Sequence, residues 1–247
     1  MRPKPAPHPE SRITSGTRIG AALWILAAVQ FLAVQLAVGA VWRTPYSWVR
    51  HNISDLGNVH CRIWDDSRPR YVCSPLHDLM NASFVVHGVL LLAGALLTGA
   101  CWGRGGASVT ARILFVINAA AWVLVGLTPA DVDENLHVLG AMIIMGMGNI
   151  GLLVTGFLRR GSRFGRLRPV TFALAVLALT AAAMFFGQYD PGIGMGTLER
   201  IAAFGTDAWV LAAAFTVLRG TARPAGDAAD APDRALPEPQ RTGVHPW

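Results

Sequence analysis

Apolar residues run through this chain in six blocks, at about 18–42, 77–100, 109–128, 137–158, 168–187 and 198–218. Each is close to twenty residues, and twenty residues of α-helix rise about 30 Å, the thickness of a bilayer's hydrocarbon core. A helix of that length on a soluble protein shows a polar face, and stretches such as LLLAGALLTGA show none. The pattern predicts an all-α, polytopic integral membrane protein built as a six-helix transmembrane bundle over residues 18–218. One long loop, 43–76, separates the first two spans. The segments 1–17 and 219–247, rich in Pro, Arg and Ala, cannot bury an apolar face and are expected to be disordered tails.

Composition agrees with lipid as the solvent: 53% of residues are hydrophobic, and mean hydropathy is +0.41. The first block exceeds the 7–15 residues of a signal-peptide core, so it is expected to stay as an anchor. Charge then sets orientation. Arg2, Lys4, Arg12, Arg18, Arg104, Arg112, Arg159, Arg160, Arg163, Arg166, Arg168, Arg219, Arg223, Arg234 and Arg241 fall on one side. Asp131, Asp133, Glu134, Asp190 and Glu199 fall on the other, with Arg200. Positive connections stay inside, so both termini are expected to be cytoplasmic in the cell membrane. The 43–76 loop breaks this pattern with Arg43, Arg50, Arg62, Arg68 and Arg70, set among Asp55, Asp65 and Asp66. A net charge of +6 needs no nucleic acid, because basic loops beside anionic headgroups account for it. Membrane lipids are the expected partners, and no oligomeric state follows from the sequence.

Of three cysteines, Cys61 and Cys73 share the external loop, where an oxidising exterior permits a disulfide. A zinc pair there is the weaker reading, since the ligands are few and widely spaced. Cys101, at the inner end of the second span, should remain a free thiol.

Two groups of polar residues need an explanation. Counting inward from the outer helix ends at 1.5 Å per residue places Gln30, His87, Asn118, Asn149 and Asp207 in one layer near the midplane. Amides at that depth commonly bond helices together. Asp207 must be protonated, paired or wet; His87 shares its depth, and Arg200 lies seven residues back on the same face. The second group is at the outer rim: Ser54 and Asp55 after the first span, His77 and Asn81 opening the second, His137 opening the fourth, Glu199 and Arg200 opening the sixth. Singly, each is a turn, a cap or a solvated helix start. Together they could bind a metal, a headgroup or a proton. Gly192, Gly194 and Gly196 precede the last span, but without a GK[ST] ending they read as a flexible hairpin rather than a phosphate loop.

The stretches HNISDLGN, HDLMNASFVVHG, ENLHVLGA and GTLER resemble those of the bacterial and archaeal membrane proteins grouped as domain of unknown function 998. The resemblance spans about residues 20–218 and implies a multi-pass helical membrane protein without an established activity. Ser54, Asp55, Gly57, His137 and Gly140 are the family-like positions, with no chemistry attached to them.

Three functions compete. The first is a non-enzymatic protein that binds a lipid or small amphiphile at the rim, for envelope maintenance or transport. The second is a metal-assisted intramembrane lipid hydrolase, with zinc on His77, His137 and Asp55; the paired HxxxH of comparable enzymes is missing. The third is a proton-coupled transporter using Asp207 and His87.

Overall fold

The computed structural model describes residues 13–219, so the expected tails lie almost wholly outside the described residues. Six helices are long and apolar enough to cross a membrane: α1 Ser15–Ala40, α2 His77–Leu97, α3 Gly106–Leu127, α4 Glu134–Thr155, α5 Phe164–Phe186 and α6 Met195–Arg219. They pack in chain order, α1 on α2, α2 on α3, α3 on α4, α4 on α5 and α5 on α6, and α6 closes the ring against α1.

Local chemistry moves several boundaries from their expected places. Thr14 accepts the Thr17 N–H and starts α1 at Ser15. Asp133 accepts the Leu136 N–H, so α4 begins at Glu134 rather than at His137. The first turn of α5 is a 3-10 turn, Phe164–Leu167, and Pro169 follows in the first turn of its α-helical part. In α4 the α-helix widens to a π-helix over Ile143–Gly148, a distortion frequent at functional sites. Gly148 sits where a Cβ would stand 2.4 Å from Asn118 Oδ1, so α3 and α4 meet there only because no side chain intervenes.

Two aromatic layers fill the bundle. Trp24, Trp102, Trp209 and Phe164 are fully buried, and Phe115 joins them. Every indole N–H in this layer has an acceptor: Leu91 O, Thr98 Oγ1 and Thr171 Oγ1 respectively. Lipid supplies no water to satisfy them otherwise. The second layer, nearer the 43–76 loop, joins Phe31, Phe84 and Trp122.

The 43–76 loop is folded rather than loose. It holds a 3-10 turn, Ser54–Gly57, and an antiparallel hairpin of β1 Arg62–Trp64 and β2 Arg70–Val72. This hairpin is the one departure from all-helical structure among the described residues. Arg62 pairs with Val72, and the Cys61–Cys73 disulfide closes the next position along. Cys101 is a buried free thiol, its pKa raised by burial.

Candidate functional site

The loop forms a cap over one end of the bundle, and Asp55 and Asp65 pair with Arg70 and Arg68 within it. Asp55 is fully buried and grips Arg70 with both oxygens: Nη2 to Oδ1 at 2.6 Å and Nε to Oδ2 at 2.7 Å. Oδ2 also accepts the Asn52 N–H. Burial alone would lower the Arg70 pKa, but Asp55 and Asp65 together hold it above the ordinary value. Asp65 is shared by Arg68 and Arg70. Asp131, from the α3–α4 connection, accepts the Val59 and His60 N–H groups and meets the His60 ring at 2.9 Å. Those donors keep its pKa low against the effect of burial.

Arg200 ties the cap to α6. Its Nη1 donates to Trp48 O, His51 O and Gly196 O, and its Nη2 to the Tyr46 hydroxyl. The guanidinium lies 4.6 Å from the Trp48 ring centre. Burial raises the Tyr46 pKa, leaving a phenol that bonds both Arg200 and Asn52 O. His51 accepts the Ser47 N–H at Nδ1, and burial lowers its pKa, so the ring is a neutral acceptor. The Gly196 and Thr197 N–H groups both point at Val49 O. The glycine-rich stretch is therefore occupied by the cap's own backbone and is neither a phosphate cradle nor a loose hairpin.

Beneath the cap is a cavity of about 30 Å³, lined by Ile53, Ser54, Phe84, Trp122, His137, Ile144 and Glu199 among others. That volume holds one or two waters. Glu199 is buried and accepts the Ile53 N–H. The His137 ring donates from Nδ1 to Thr128 O at 2.8 Å, which turns the rest of the imidazole toward the cavity. The π-helical part of α4 supplies Ile144 and Met145. In the first part of α4, Glu134–Met142, only His137 and Gly140 are buried, and this part packs mainly on α3.

One helical turn below the cavity lies a second polar unit. His87 follows Phe84 by three residues and Asp207 follows Ala203 by four; both predecessors line the cavity. His87 Nε2 stands 3.2 Å from Asp207 Oδ1, and neither atom makes a hydrogen bond among the described residues. His87 Nδ1 meets Ala27 O at 3.0 Å. A carbonyl only accepts, so Nδ1 carries a hydrogen. Nε2 and the carboxylate would then repel unless one proton lies between them. A proton shared between them would leave the pair without net charge, the cheaper state in a low dielectric.

The rim residues singled out in the sequence divide. Ser54, His137 and Glu199 share the cavity. Asp55 is committed to Arg70, and Arg200 faces the cap, leaving Asp207 to His87. His77 bonds Ser74 O and Asn81 bonds Gly57 O; both stand outside the cavity lining. The proposed ligands His77, His137 and Asp55 therefore do not assemble. Among the described residues no three His, Cys, Asp or Glu side chains group as a metal site. In the midplane layer, Gln30 exchanges bonds with Ser83, and Asn149 bonds Met145 O and Ala202 O. Asn118 Oδ1 is buried without a partner. Sequence reasoning missed Arg70, Tyr46 and the buried Gln35. The arginines of the 43–76 loop, set among Asp55 and Asp65, were a usable signal for Arg70.

A family model described as a protein of unknown function, DUF998, matches residues 25–216. No curated protein matches this chain, and no solved structure does. The match runs from within α1 to within α6 and takes in the SDLG turn of the cap and the cavity below it, and the chain belongs to the DUF998 family of proteins of unknown function.

Proposed function

We propose that this protein binds a small amphiphile whose hydroxyl or amino head group enters the cavity under the cap while its chain stays in lipid beside α4. One observation carries the reading. The cavity is apolar except for Ser54, His137 and Glu199, and it holds no more than a group the size of one or two waters. A carboxylate, an imidazole and a hydroxyl select a hydrogen-bond donor. The thinly packed first half of α4, with Leu136, Leu139 and Met142 exposed, offers a lateral way in from the membrane. In this reading the cap faces outward and both termini are cytoplasmic, as the arginine bias and the cap's cystine favour.

The test is native mass spectrometry of the detergent-purified protein with single-chain alcohols, amines and carboxylates of equal length. Alcohol and amine should be retained and carboxylate rejected, and Glu199→Gln should weaken the amine about tenfold or more. Equal retention of all three, or amine binding indifferent to Glu199→Gln, rejects the reading.

The His87–Asp207 pair favours a second reading, proton-coupled transport. Its one-proton chemistry and its place one turn below the cavity support loading from the cap side. Asp207→Asn should abolish pH-driven flux in proteoliposomes while the helical content is kept; unchanged flux ends this reading.

A further inference from the structure

The end of the bundle opposite the cap has a different chemistry. From Gly156 to Phe172 the chain reads GFLRRGSRFGRLRPVTF, with five arginines and no acid. Arg163 turns inward to Thr216 O. A pocket of about 650 Å³ is lined by Arg160, Gly165, Arg166, Arg168, Pro169 and Phe172. Three guanidinium groups thus share one concave surface, and Arg160 and Arg168 form no ion pair with any described residue. The wall of the pocket is aromatic. Arg168 lies 6.0 Å from the Phe172 ring centre. Phe172 in turn meets Phe157 at 5.2 Å, and Phe157, just past the end of α4, is 61% exposed.

We propose that this pocket is a binding site for an anionic glycerophospholipid. Its phosphate is held by Arg160 and Arg168, and its acyl chains run along Phe157 and Phe172. Each half of the site selects a different half of the ligand. Planar guanidinium forks match phosphate oxygens, and basic pockets at the membrane boundary attract anionic headgroups. The aromatic wall is what a free anion would not need. The position of Phe157 and Phe172, below the arginines and toward the hydrocarbon, matches the interfacial belt where aromatic rings sit.

The site is independent of the cavity under the cap, and the experiment keeps the two apart. The full-length, delipidated protein is titrated by native mass spectrometry with phosphatidylglycerol, phosphatidylcholine and inorganic phosphate. One saturable phosphatidylglycerol site is expected, at least tenfold tighter than phosphatidylcholine and weakened by salt. The Arg160→Ala/Arg168→Ala variant should lose that preference, while Glu199→Gln should leave it unchanged. Arg160→Ala alone, at an exposed side chain that cannot endanger folding, should weaken binding severalfold. Equal affinity for the two lipids, or binding indifferent to the arginine variants, overturns the proposal. So does displacement of the lipid by millimolar phosphate, which would mark a free-anion site. The chain's own Asp227, Asp230 and Asp233 are the rival occupant. If phosphatidylglycerol binds only after all three are changed to Asn, the pocket belongs to the tail and the lipid assignment fails.

Discussion

The two ends of the bundle are both rich in arginine, and they handle that charge in opposite ways. At the cap, Arg70 meets Asp55 and Asp65, Arg68 meets Asp65, and Arg200 is surrounded by loop carbonyls. At the other end, the described segments 13–18, 98–112, 156–170 and 215–219 hold nine arginines and no carboxylate. At the cap, the guanidinium groups of Arg68, Arg70 and Arg200 are spent on the fold itself. Under the lipid-site proposal, the arginine face without acids takes counter-charge from membrane phosphates.

The sharpest way to break the comparison is to delete one cap carboxylate. Asp55→Ala leaves Arg70 buried and half-paired, and should destabilise the protein by about 3–5 kcal/mol in detergent unfolding. Arg160→Ala at the other end should stay within about 0.5 kcal/mol. Similar losses at both ends would erase the distinction. Next comes the covalent staple. Cys61 and Cys73 are 12 residues apart, and opening a loop of that size by Cys73→Ser should remove about 3 kcal/mol. Protection from hydrogen exchange should fall in the hairpin and not at the arginine end.

A smaller effect tests how the cap rests on the helices. A Cβ on Gly57 would stand 2.3 Å from Asn81 Oδ1, where Asn81 donates to Gly57 O. Gly57→Ala should therefore cost about 1–3 kcal/mol, and pairing it with Asn81→Ala should recover part of the loss; no recovery would place the strain elsewhere.

The smallest effect is acid loosening. The pKa of Asp131 is depressed by N–H donors that outweigh burial, and that of Asp65 by Ser67 and Arg70 that likewise outweigh it. A depressed carboxylate stabilises the fold at neutral pH, and the contribution disappears as pH falls through the lowered value. The protection factors of the Val59 and His60 amides, corrected for the intrinsic rate, should fall in acid, while the acid-free arginine end should show no such step. Identical acid profiles at both ends would contradict the assignment of these carboxylates.

Much of the architecture was legible in advance because hydrophobic period and length are local properties. Six apolar blocks became six helices, and the two loop cysteines met. Depth along a helix is also local arithmetic, which is why His87 and Asp207 could be placed in one layer. The direction in which a long side chain reaches is not local. Arg200 could have turned down to Asp207 by spacing alone, yet it turns up to carbonyls about 150 residues earlier in the chain. Asp55 looked like a free ligand until the hairpin carried Arg70 to it. The cavity, the π-helical widening of α4 and the aromatic wall beside Arg168 exist only where separate helices meet. The sequence therefore determined the solvent, the number of helices and the charge of each end. Only the folded chain decided which charges pair with each other, because pairing depends on where the loop between the first two helices lands.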